Sequence, residues 1–122
     1  MRRALVAVLL VCTSALACHS PAAVDETELL QVQSLEVLVA QSLPAQVTVR
    51  VHGLLPSGCS SVGTVSQMRS GNTWDLVITV HRSSELCTQA IRDVEQAVRL
   101  EGALSPGQYL VRANGVQQAF TI

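Results

Sequence analysis

Gln46-Val47-Thr48-Val49-Arg50-Val51-His52 is the stretch on which the fold turns. Its three valines fall on one face, and Thr48, Arg50 and His52 fall on the other. Successive side chains of an extended chain point to opposite sides, so strict alternation of β-branched apolar and polar residues predicts a half-buried strand. Towards the N-terminus, Leu35, Val37 and Val39 alternate in the same way until Pro44 breaks the run. Towards the C-terminus, Val62 to Met68 and Trp74 to Val80 flank Ser70-Gly71-Asn72, with Trp74, Leu76, Ile78 and Val80 on one face. This spacing predicts a β-hairpin, and Tyr109 to Ala113 and Val116 to Ile122 predict a second one around Asn114-Gly115. Strand signals recurring every roughly 10–15 residues point to an antiparallel β-sandwich.

The stretch 85–98 dissents. Its apolar residues at 86, 90, 91, 94, 97 and 98 fit a helical stripe, with Ser83 or Ser84 as cap and Gly102 as stop. The competing strand places Val94, Gln96, Val98 and Leu100 on one face. Taken locally, the helix has the better claim.

The chain has 122 residues, room for one domain, and its 48% apolar content excludes global disorder. All eight basic residues are arginine, set against nine acidic ones, and no basic cluster is present to meet a phosphate backbone. The three aromatics, Trp74, Tyr109 and Phe120, are scattered along the chain, too few for a broad stacking platform. Nucleic acid and extended glycans are therefore disfavoured as ligands.

Arg2 and Arg3, the apolar run Ala4 to Val11, and Ala15-Leu16-Ala17 form the three-part layout of a secretory signal peptide over residues 1–17. The run is too short for a membrane span, which needs roughly 20 apolar residues. Ala15-Leu16-Ala17-Cys18 also resembles a bacterial lipobox, although Ala15 and Leu16 are not that motif's favoured residues. Of the four cysteines, Cys12 lies inside the apolar leader, which leaves Cys18, Cys59 and Cys87. An odd cysteine in an oxidising compartment calls for an explanation. Lipidation of Cys18 would leave Cys59 and Cys87 as a pair, and a bridge to another chain through Cys18 or a free thiol are the alternatives. Residues 18–33, beginning Cys18-His19-Ser20-Pro21 and rich in polar and small residues, are expected to form a tether, with the folded domain at 34–122.

Leu104-Ser105-Pro106-Gly107-Gln108-Tyr109 resembles the L-x-P-G-x-Y corner of immunoglobulin-like and fibronectin-like sandwiches, where the Tyr hydroxyl bonds back to the backbone. Together with Leu55-Pro56-Ser57-Gly58-Cys59, Gly71-Asn72-Thr73 and Cys87-Thr88-Gln89-Ala90, the chain is similar to small uncharacterised bacterial secreted domains and lipoproteins. The resemblance implies an immunoglobulin-like β-sandwich of about seven strands, with Tyr109, Pro106 and Gly107 as a structural corner. It also implies that Val94 to Leu100 is a strand, which leaves room for one short helical turn near 85–91 from the local stripe. It implies neither an antibody-type inter-sheet disulfide nor antibody-like recognition.

Chemistry finds little purchase. His52, Cys59, His81 and Cys87 lack the paired spacing that sets two metal ligands on one local element. Ser60 and Ser61 sit in no nucleophile elbow, Asp75 and His81 are polar-phase strand residues, and no glycine-rich phosphate loop is present. No catalytic residue, cofactor, metal or small-molecule substrate is expected. The expected protein is a non-enzymatic, membrane-anchored lipoprotein of a bacterial cell envelope, held through Cys18 and acting as an interaction or structural module. Its preferred contact region for a protein partner is the loop Ser83 to Ile91, tied to Leu54–Ser61 by a Cys59–Cys87 disulfide. The alternative is a soluble periplasmic or secreted inhibitor that blocks a hydrolase with disulfide-bounded loops.

Overall fold

The alternation at 46–52 becomes a central strand whose Val47, Val49 and Val51 are wholly shielded from solvent. The computed structural model describes residues 28–84 and 86–122; the expected leader, Cys18 and the first part of the expected tether lie outside the described residues. Seven strands are described: β1 Gln31–Ala40, β2 Gln46–Leu55, β3 Ser60–Ser70, β4 Thr73–Arg82, β5 Arg92–Arg99, β6 Gln108–Ala113 and β7 Val116–Thr121. They form a three-stranded sheet, β1-β2-β5, facing a four-stranded sheet, β3-β4-β6-β7. The protein is an all-β sandwich, and among the described residues no helix is long and apolar enough to cross a membrane.

The core lies between the sheets. The β2 valines and Val98 of β5 face Trp74, Leu76 and Ile78 of β4 and Tyr109, Val111 and Ala113 of β6. Burying a valine side chain this completely is worth roughly 1.5–3 kcal/mol against leaving it in water. Strand β1, at a sheet edge, is less deeply buried: Leu35, Val37 and Val39 only flank the core.

Both predicted hairpins are present. Gly71 turns β3 into β4 with φ 60°, and Asn114-Gly115 turn β6 into β7 with φ 46° and 91°. Positive φ at both central residues is what a two-residue I′ turn demands, and it explains the Asn-Gly pair there. The Tyr109 hydroxyl donates to the Ser105 carbonyl at 2.6 Å, the bond that the corner motif implies.

Four expectations need correction. First, the sheets are not wholly antiparallel: β4 and β6 pair in parallel from Thr73↔Leu110 to Leu76↔Ala113. In the immunoglobulin arrangement the third strand lies beside the sixth. Here the β3–β4 hairpin is set the other way round, so the fourth strand takes that place and runs in the direction of the sixth. Second, no helical turn is present at 86–91, and β5 begins directly at Arg92. The Gly58 N–H bonds to the Thr88 carbonyl, Cys87 is tied to Cys59, and β5 pairs with β2 from Arg92 to Arg99. These long-range bonds satisfy the backbone that a helix would have used, and tertiary context overrides the local stripe.

Third, the fold starts before residue 34. Leu30 is 1% exposed in the core, Leu29 bridges Thr79, and the Leu30 N–H bonds to the Ile78 carbonyl at 2.9 Å. The chain thus pairs first with β4 in one sheet, then crosses to form β1 in the other. Fourth, the scattered aromatics meet. Trp74, Tyr109 and Phe120 form one cluster with ring centroids 5.5–6.5 Å apart, and Arg69 lies 4.3 Å from the Trp74 ring. With Trp74 and Tyr109 at 1% and 7% exposure, the cluster is core and not a ligand platform.

Candidate functional site at the disulfide end

Strand directions give the sandwich two distinct ends. Leu55 of β2 is level with Arg92 of β5, Ser60 of β3 is level with Arg82 of β4, and the Arg92 guanidinium donates to the Ser60 carbonyl between them. Glu28, the first described residue, is at this end, its carboxylate gripping Arg82 through two bonds, one at 2.7 Å. The opposite end carries the Pro44 turn, the Gly71-Asn72 turn and the Pro106-Gly107 corner.

At the first end, Cys59 and Cys87 are joined as a disulfide with Cα atoms 5.5 Å apart, within the usual span of such bonds. The two loops run against each other closely. Gly58 N–H donates to the Thr88 carbonyl at 2.8 Å, and Ser83 N–H donates to the Cys59 carbonyl at 3.1 Å. A Cβ on Gly58 would stand 2.4 Å from the Thr88 hydroxyl, so the glycine before Cys59 is what lets the loops meet. That requirement was readable in Pro56-Ser57-Gly58-Cys59 only as an unassigned loop glycine. The hydroxyls of Ser57 and Ser60 share a 2.8 Å hydrogen bond, which accounts for a buried Ser60. On this stapled base Leu86 is fully exposed and Ile91 is 69% exposed. Ile91 and Leu29 line a cleft of about 170 Å³ with Leu54, Pro56 and Val80.

The remaining candidates stay apart. His52 is on β2 and His81 on β4, in different sheets, while Cys59 and Cys87 are joined to each other. His52 lies on the outer face between Glu36 and Glu95, at 3.9 and 3.6 Å, and Arg50 stands between the same two carboxylates. All four side chains are 40–51% exposed, so this is a solvated charge ladder that adds little stability. Ser61 is opposite His81 in register, but Asp75 is held by Arg112 through bonds of 2.8 and 3.1 Å. Among the described residues no three metal-ligating side chains converge. At the far end, Val39, Leu43, Pro44, Leu104, Pro106 and Ile122 line an open apolar groove of about 730 Å³.

The described residues form a disulfide-stapled, seven-stranded β-sandwich domain in which no buried side-chain nitrogen or oxygen lacks a hydrogen-bond partner. The chain belongs to the ORF11 beta-sandwich domain family, whose sequence signature matches residues 49–122. Two relatives from Herpetosiphon aurantiacus are similar along their whole length. The "Uncharacterized 10.2 kDa protein in HgiCIIM 5'region" is 31% identical over 94 residues, 76% of this chain. The "Uncharacterized 10.2 kDa protein in HgiBIM 5'region" is 32% identical over 82 residues, 66% of this chain. No solved structure matches the chain.

Proposed function

We propose that the chain is a non-enzymatic, exported module of a bacterial envelope, anchored to a membrane by a lipid on Cys18 and acting through contact. The observation that carries this reading is the Cys59–Cys87 bond. It occupies both cysteines of the described fold, so Cys18 finds no partner there, and a thioether-linked lipid accounts for the odd thiol. The arginine pair, apolar run and Ala-x-Ala-Cys of the leader supply the export signal that such processing needs. Contact as the mode of action is supported by the placing of His52 and His81 in different sheets and by the pairing of Asp75 with Arg112.

Intact-mass analysis of the chain recovered from cells tests the reading. The expected product lacks residues 1–17, carries a diacylglyceryl mass on Cys18 and partitions into detergent, and Cys18→Ser abolishes both. An unmodified, water-soluble mature chain overturns it. That result would favour the soluble inhibitor, with the exposed Leu86 beside the disulfide as the residue inserted into a hydrolase.

A further inference from the structure

We infer that the disulfide end of the sandwich rests on the lipid surface, with Leu86, Ile91 and Leu29 as its contact residues, and that the Leu43–Pro44 end points away. This inference rests on the anchoring proposed above and adds an orientation and a contact surface to it. Three observations carry it. The described residues begin at Glu28, which is fastened to this end by Arg82 and by the bond from Val80 N–H to its carbonyl. Nine residues lie between Cys18 and Glu28, ten Cα-to-Cα steps in all. Even fully extended they reach about 36 Å. A strand of this sandwich is about 33 Å long, so the far end could touch the bilayer only with that segment drawn out along the whole domain. The near end needs no such stretch.

The second observation is chemical. Leu86, Ile91 and Leu29 are 106%, 69% and 54% exposed, and they stand on the end from which the anchor departs. Isolated exposed apolar residues are ordinary, but here Leu29 and Ile91 share a cleft with Leu54, Pro56 and Val80. The third is electrostatic: Glu28 and Arg82 beside this patch neutralise each other, so setting it against headgroups strands no lone charge from that pair. The Ser83–Ile91 loop is thereby assigned to lipid, and the apolar groove at Leu43 and Pro44 is the end left open to the periplasm or medium.

Tryptophan quenching tests the orientation on the full-length, processed chain in phosphatidylethanolamine and phosphatidylglycerol vesicles with brominated acyl chains. Trp74 is the chain's one tryptophan, buried and nearer the far end, and supplies a constant background. Leu86→Trp is expected to add emission that is blue-shifted and mostly lost to bromine, whereas emission added by Leu43→Trp persists. Both sites are fully exposed, so neither change burdens the fold. Quenching of Leu43→Trp as strong as that of Leu86→Trp, or no quenching of Leu86→Trp in chains that float with the vesicles, overturns the inference. A chain that fails to float overturns the anchoring itself and the orientation with it, and flotation reports that failure separately.

Discussion

The side-chain amide of Asn114 bonds both main-chain groups of Ile78, accepting from its N–H at 3.1 Å and donating to its carbonyl at 2.8 Å. The same Nδ2 donates to the Leu30 carbonyl at 2.8 Å. β6 accompanies β4 only as far as Leu76, and beyond that point Leu29 and Leu30 take over the same edge. Asn114 stands at the seam, supplying the acceptor for the Ile78 N–H and a second donor to the Ile78 carbonyl, which also accepts from the Leu30 N–H. Asn114→Gly keeps the left-handed backbone and removes the amide, and should cost about 1–3 kcal/mol in urea unfolding. Asn114→Ala should cost about 1 kcal/mol more, because φ of 46° disfavours a Cβ. A glycine variant within a few tenths of wild type would show the seam to be solvated.

Tyr109→Phe retains the ring contacts with Trp74 and Phe120 and removes the bond to Ser105. The loss should be about 1–2 kcal/mol, with the Ser105 carbonyl left partly buried. Equilibrium denaturation with an unchanged m-value would assign the loss to the hydroxyl alone.

Replacing Cys59 and Cys87 together by alanine frees a loop spanning 28 residues. On the chain-entropy estimate the fold should lose about 3–4 kcal/mol. Hydrogen exchange should accelerate first at Gly58 and Ser83, whose N–H groups hold the two loops together. Uniform acceleration across β2 and β4 would instead mean that the bond supports the whole core.

The bonds from Arg82 hold the Glu28 carboxyl below its ordinary 4.5; slight burial opposes this, and the guanidinium charge adds to it. A depressed carboxyl stabilises the fold above its unfolded value and ceases to do so as pH falls through the depressed value. Wild type should therefore melt above Glu28→Gln at neutral pH, and the difference should shrink as pH falls below the ordinary carboxylate range. Equal melting temperatures at neutral pH would mean that solvent screening cancels the pair.

Gly53→Ala would place a Cβ 2.8 Å from the Gln31 carbonyl and 3.0 Å from the Leu30 side chain. The backbone oxygen cannot swing aside, so β1 must shift where it joins β2, at a cost of about 1–3 kcal/mol. Proteolysis near Leu30 should rise in parallel, and an unaltered cleavage pattern would show that the strand accommodates the methyl.

The strands and their turns were legible because alternation and Asn-Gly chemistry are local. Val47, Val49 and Val51 announce a buried face whatever lies opposite. What lies beside each strand is not local: nothing in Trp74 to Val80 says that Leu110 will be its neighbour in parallel. The helical stripe at 86–98 misled because Leu86 and Ile91 end up in solvent, where their spacing answers to no core. Leu30 and Val32 were missed for the opposite reason, a lone pair of buried residues ahead of the longer alternation. At the candidate site, counting cysteines led to the Cys59–Cys87 pair, whereas the Gly58–Thr88 contact that seats it depends on two loops meeting in space.

The Leu30–Asn114 bond joins residues 84 apart, from the first segment of the fold to its last turn. Loop closure over such a distance delays contact formation. A growing polypeptide therefore cannot finish this domain piecemeal from its beginning. Leu30 and Ile78 are clamped by a turn 84 residues beyond Leu30, so the sandwich closes as a late event, after β6 has formed.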